Sequence, residues 1–203
     1  MKTHDTYWAS ASHILDIASP ASDEHLHLLT HQALAHDIKQ YGKWLIIKMC
    51  DLDGNHKSNQ MIDEDGRKIF AKGSKIKNTY HLIGEIGSKI IFCEGFATGS
   101  AIHQATGLPV VVCFNENNLR TLPRLFRKRL PRAKFFIAAD DDYRAGGTAN
   151  VGVNAAHIGA KAGKGRVIIP LSKDKKRRKQ DFADVLVRDG MEYLKSILGE
   201  QLR

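Results

Sequence analysis

With 203 residues, 42 % of them apolar, the chain can build one full core plus a smaller appendage, so one or two domains are expected. No apolar run approaches the ~18–20 residues of a membrane helix, and Met1-Lys2-Thr3-His4-Asp5 lacks the apolar stretch of a secretion signal, so a soluble cytoplasmic protein with no membrane partner is expected. The formal charge of +9 is held entirely beyond Tyr80: up to that point ten Lys/Arg offset ten Asp/Glu, and after it 21 face 12, which points to a polyanionic partner.

In chain order, Ser22 to Tyr41 carries a helical pattern, with Ser22 or Asp23 as cap, Leu26, Leu29, Ala33 and Ile38 near helical spacing, and Gly42 as the stop. Trp44 to Cys50 is a β-rich run in which Trp44 belongs to the core. Asp53-Gly54 and Asp65-Gly66 then separate short apolar runs, the signature of a β-meander. Residues 1–87 therefore form a small α+β region, helix plus meander. Beyond Gly87 the rhythm changes to alternating strands and helices: strand Lys89 to Cys93, helix Thr98 to Ala105 stopped by Gly107, strand Pro109 to Phe114, and helix Leu122 to Leu130. That last helix has Thr121 as cap and Pro123 in its first turn, the place a helix tolerates proline. Strand Phe135 to Ala139, helix Thr148 to Ala162, strand Val167 to Pro170 and a helical tail broken near Gly190 complete residues 88–203. Such alternation predicts an α/β fold with a mostly parallel central sheet of about four strands and helices on both faces.

In such a sheet, ligands bind beyond the carboxyl ends of the strands. Glu94 directly follows the first strand of the unit, and Asp140, Asp141 and Asp142 follow the third. Carboxylates crowded at one edge repel one another, and a divalent cation relieves this; a few carboxylates plus waters and substrate phosphates suit Mg²⁺, or Mn²⁺ in its place. Asp140 and Asp142, one residue apart in extended chain, can point the same way, with Asp141 facing elsewhere. Gly95 allows close backbone approach, and the helix starts near Thr98 and Thr148 offer amide donors to phosphate. Of the basic residues, Arg124, Arg127, Lys128 and Arg132 lie on the helix with Pro123, and Lys175, Lys176, Arg177 and Arg178 in a low-complexity loop. Both groups are candidates for the nucleic-acid backbone. His27 and His31, four apart, could bind a metal, but no third ligand is evident, and surface or packing roles are the stronger reading. Cys50, Cys93 and Cys113 read as reduced core residues. Gly163-Lys164 lacks the P-loop spacing.

Ile90-Ile-Phe-Cys-Glu94-Gly95-Phe96-Ala97-Thr98 and Phe135-Phe-Ile-Ala-Ala-Asp140-Asp141-Asp142 resemble the two signature motifs of the Toprim domain, found in bacterial-type primases, topoisomerases and OLD-type nucleases. Ala105-Thr-Gly-Leu-Pro-Val-Val-Val, Asp181-Phe-Ala-Asp184-Val-Leu and the meander before them bring the likeness nearest to primases of conjugative plasmids and phages. The resemblance implies a Toprim-like fold and a DNA primase or primase-like nucleotidyltransferase. Its partners would be single-stranded DNA, nucleoside triphosphates and a replicative helicase. Glu94, Asp140 and Asp142 would be catalytic and, with Asp184, metal-binding, and Gly95, Thr98, Arg144 and Thr148 would hold nucleotide phosphate. Tyr143 departs from the family's spacing before Arg144. A Toprim nuclease and a non-catalytic DNA-binding replication accessory protein are the alternatives.

Overall fold

The computed structural model describes residues 11–71, 73–141, 150–173 and 179–203, and divides into two compact units, Met1–His81 and Leu82–Arg203. The first unit contains α1 (Ala11–Ile17), β1 (Ser19–Pro20), α2 (Leu26–His31), β2 (Lys39–Tyr41), β3 (Trp44–Cys50), β4 (His56–Ile62) and β5 (Lys68–Phe70). Its five strands pair in sequence order, all antiparallel. The meander is the one expected: Gly54 and Gly66 take positive φ (81° and 79°) at the two Asp-Gly turns, and Asp51 fixes the first by accepting from the Asp53 and Asn55 amides. Trp44 is core, packed with Ile14, Ala18, Ile46 and Met61.

The helix expected over 22–41 is a single short one. Gln32 takes the left-handed conformation that ends α2, and Asp23 accepts from the Ala35 amide, holding the following loop. The apparent apolar stripe is no stripe: Leu28 is buried, whereas Leu26 and Leu29 are exposed. Gly42 turns the hairpin that pairs Tyr41 with Trp44 and does not end a helix. Helix α1 escaped the sequence reading altogether.

His27 is 5 % exposed, its ring 4.4 Å from that of His31, whose Nδ1 lies 2.8 Å from the His27 carbonyl. The packing reading holds. Burial first, then His31, Lys68 and His25, push the His27 pKa down to about 4, with Asp63 opposing. The unfolded chain takes up a proton near 6.5 and the folded one only near 4, so this contribution is complete above 6.5 and lost as pH falls through that window. Unfolding free energies from urea titrations should therefore drop between pH 6.5 and 4, by on the order of 2 kcal/mol after screening. His27→Gln should flatten that slope. An unchanged slope in the variant would rule His27 out as its source.

The second unit holds β6 (His81–Ile83), which starts at its boundary, β7 (Lys89–Cys93), α3 (Phe96–Thr106), β8 (Val110–Val112), α4 (Glu116–Arg129), β9 (Lys134–Ala138), α5 (Val151–Gly163), β10 (Arg166–Ile168), α6 (Phe182–Asp189) and α7 (Met191–Gln201). The sheet order is β10-β9-β7-β8-β6, with β10, β9, β7 and β8 mutually parallel. The four expected strands are present, and β6 adds an edge strand. Helices α4 and α5 cover one face, where Phe92 meets Phe126 of α4 edge-on at 5.3 Å. On the other face lies α3, with α6 and α7 packed on it. A Cβ on Gly99 would press Val112 and Cys93 at 3.0 and 3.2 Å, so glycine lets α3 close on the sheet. Gly190, at φ 87°, separates α6 from α7 as expected.

Helix α4 starts earlier than expected. Asn115 caps it by accepting from the Asn118 amide, and Pro123 lies in mid-helix. Proline leaves the carbonyl four residues back, that of Leu119, without its helical donor. Gly159 of α5 packs directly there, where any Cβ would collide with the Leu119 oxygen. In helix α5, Asn150 is the cap, its side chain accepting from the Val153 amide; Thr148 lies outside the described residues.

Candidate active site

Strands β7 and β9 are parallel neighbours, with Phe92 opposite Ile137, so their carboxyl ends lie side by side. Glu94 leaves the first and Asp140 the second, both half-buried. The Glu94 carbonyl accepts from the Phe114 amide, and the Ala139 amide donates to Ile168, which fixes both strand ends to their neighbours. Beneath them Cys93 is fully buried. Burial raises its thiol pKa most, followed by Cys113 and then Asp140, Asp181 and Glu94. The thiol thus feels three carboxylates, those of Asp140, Asp181 and Glu94. Cys113 is raised by burial and by Glu94. All three cysteines are free, and Cys93 and Cys113 are core residues.

Asp141 faces elsewhere. Its carboxylate accepts from Asn150 Nδ2 at 2.6 Å, and its backbone exchanges two hydrogen bonds with Gln180, at 2.9 and 3.0 Å. Gln180 in turn donates to the Pro170 carbonyl and accepts from Arg188, whose Nε donates to Ser172. The backbone beside Asp140 is thereby pinned from two directions, to the start of α5 and to the approach to α6. Nothing in the sequence alone identifies Gln180, Arg188 or Asn150 as supports, because amide and guanidinium contacts across 8 to 16 residues leave no periodic signal.

Two expected roles are replaced. Thr98 does not begin a helix or face open phosphate: it is the third residue of α3, 1 % exposed, and its hydroxyl donates to Asp181 at 2.8 Å. Asp184 is exposed and closes a capping box at the start of α6, its carboxylate accepting from the Asp181 amide while Asp181 accepts from the Asp184 amide. Asp181, and not Asp184, joins Glu94 and Asp140 among the acids that raise the Cys93 thiol. Gly95, expected to allow close backbone approach, is the N-cap of α3, and the cap makes no side-chain hydrogen bond.

Of the basic residues, Arg124, Lys128 and Arg132 are exposed. Arg127 is turned inward: Nε donates to the Gly163 carbonyl at 2.9 Å, Nη1 to those of Leu130, Pro131 and Ala133, and the guanidinium lies 3.9 Å over the Phe135 ring. It fastens the ends of α4 and α5 and is not presented to a template. Asp142, Arg144, Thr148, Lys175, Lys176, Arg177 and Arg178 lie outside the described residues. Among the described residues no three His, Cys, Asp or Glu side chains form a metal-binding group. None of their helices is long and apolar enough to cross a membrane.

A family model for the Toprim domain matches residues 89–192, the stretch that carries β7 to β10 and both strand-end acids. The chain belongs to the Toprim family. This Toprim chain is 32 % identical over 139 residues to a DNA primase TraC of Escherichia coli, and 31 % over 137 residues to a second one. Those matches take in 65 % and 64 % of this chain but 13 % and 10 % of the relatives, so the chain spans a small part of their length. The primase fragment of the bacteriophage T7 primase-helicase protein has a similar fold, with a TM-score of 0.61 over 92 % of this chain and 75 % of that one, at 14 % identity. The DnaG catalytic core superposes with a TM-score of 0.53 over 80 % of this chain and 54 % of that one, at 11 % identity. The Toprim resemblance read from the motifs is thus the family itself.

Proposed function

We propose that this chain is the Toprim part of a DNA primase, joining nucleotides into short primers on single-stranded DNA. The observation that carries the reading is the convergence of Glu94 and Asp140 at adjacent strand ends, and the primase names of the curated relatives select among the chemistries such a pair could serve. Glu94, Asp140 and Asp142 would hold Mg²⁺ or Mn²⁺, with Asp181 beside them. Carboxylates are the hard oxygen donors these ions take, and their mutual repulsion disfavours the empty arrangement. Bound there, the ion supplies charge neutralisation at the phosphoryl group.

The chain's own residues do the rest. Glu94, half-buried at the strand end, would accept a proton from an attacking 3′-hydroxyl. The uncapped amides at the start of α3, beginning at Gly95, orient phosphate oxygens. The Thr98 hydroxyl, donating to Asp181, would hold that carboxylate toward the metal. Arg124, Lys128 and Arg132 attract the template backbone. A replicative helicase is the partner such an activity calls for, and the cytoplasm is its place.

The test is to incubate the protein with single-stranded DNA, labelled ribonucleotides and Mg²⁺ or Mn²⁺. New labelled oligonucleotides are expected. A shortened template with no new product would replace primer synthesis by nuclease action, and salt-sensitive binding alone would leave an accessory role.

A further inference from the structure

At the opposite end of the sheet from the acids, the amino ends of β9 and β10 and the carboxyl ends of α4 and α5 enclose a cavity of about 670 Å³. Its lining includes Arg127, Lys134, Lys164 and Arg166 over a floor formed by Phe135 and Phe136, with no acidic side chain. Residues 117–139 and 151–172, which build its walls, contain ten Lys/Arg and no Asp or Glu. Arg127 spends its donors on the terminal carbonyls of the two helices, cancelling the negative helix ends that would otherwise face the cavity. Lys134, Lys164 and Arg166 are exposed; Arg166 Nη1 donates to the main-chain oxygen of Arg203, which also lines the cavity, and none of the three pairs with an Asp or Glu side chain among the described residues. Lys164 is held outward by the left-handed conformation that ends α5. Lys134 and Arg166 open two parallel neighbouring strands, with Arg166 opposite Phe136, two residues beyond Lys134.

We infer that this cavity is a second nucleic-acid contact, a phosphodiester-binding site formed by Lys134, Lys164 and Arg166. Strand β9 separates it from Asp140 by roughly 15 Å, so it is not part of the acid cluster. Lys128, Arg132 and Lys161, also exposed, lie on the same two wall segments, which carry no Asp or Glu. An extended phosphodiester chain matches a band of that kind, whereas a single phosphate would use only one part of it. The site goes beyond primer synthesis and does not depend on it, because strand binding can be read without metal or nucleotides.

The measurement is the affinity of the full chain for a fluorescent single-stranded oligonucleotide across a salt series. Three lost phosphate contacts should lower the slope of log affinity against log salt by about 2 and the affinity at 0.15 M by roughly tenfold in Lys134→Ala/Lys164→Ala/Arg166→Ala. Lys48→Ala/Lys75→Ala/Lys77→Ala removes the same charge from the first unit and should leave the slope near wild type. Equal losses in the two triple variants, or no loss in the first, would overturn the proposal. Circular dichroism separates a folding failure, and for a variant that does not fold, lysine acetylation footprinting of the wild type decides. There the oligonucleotide should shield Lys134 and Lys164, and tripolyphosphate or poly-glutamate at equal charge should not. Equal shielding by either competitor, or none by the oligonucleotide, would refute a strand site.

Discussion

Glu94→Gln and Asp140→Asn should each lower primer synthesis at least ~100-fold while leaving the fold and single-strand binding in place. The argument is electrostatic. Glu94 and Asp140 end adjacent parallel strands, and with Asp181 they raise the pKa of the buried Cys93 beneath them. In the absence of a cation that crowding opposes folding, so neutralising one carboxylate should hold or slightly raise the melting temperature. With Mg²⁺ the order reverses. Wild type should gain stability as the ion binds the folded state alone, and the gain should vanish in both variants. Full activity in either variant would sink the assignment, and so would a Mg²⁺-dependent stabilisation that survives both substitutions. Asp141→Asn is the contrast: its carboxylate accepts from Asn150 and its backbone pairs with Gln180, so the variant should keep most of its activity.

The acid-bearing edge was legible because its signals are local. Each strand of the second unit is a short apolar run, and the acids follow those runs directly in sequence, so strand-end placement needs no tertiary knowledge. What stayed hidden depends on which neighbour a polar group finds. Asp181 and Asp184 sit three apart at a helix start, and the sequence does not distinguish them; the Thr98 hydroxyl bonds Asp181, and the two close a reciprocal capping box. Pro123 misled for a similar reason. Proline in a first turn is the safe local expectation, but here a glycine on a second helix covers the carbonyl that the proline leaves without a donor. In the first unit, leucines at near-helical spacing suggested one long helix. The hydrogen bond from the Ala35 amide to Asp23, across 12 residues, and the left-handed Gln32 break it into helix, loop and strand.

The basic run on α4 is where sequence and structure differ most in consequence. By composition, Arg124, Arg127, Lys128 and Arg132 are alike, four cations on one helix and its end. In the fold Arg127 is a fastener: its guanidinium satisfies the carbonyls of Leu130, Pro131, Ala133 and Gly163 while lying against Phe135. Removing it would strip four acceptors of a charged donor and open space over an aromatic ring. The separate losses do not add, and the desolvation of Arg127 itself is recovered, so Arg127→Ala should cost about 3 kcal/mol. For a chain of this size that lowers the melting temperature by roughly 10 °C. Arg127→Lys should recover little, since an ammonium cannot serve carbonyls on both helices as a planar fork does. Lys128→Ala and Arg132→Ala, at exposed positions, should leave melting unchanged and weaken single-strand binding instead. A stable Arg127→Ala variant with weakened DNA binding would return Arg127 to the template surface. A melting loss confined to Arg127 makes it the residue that holds the ends of α4 and α5 together.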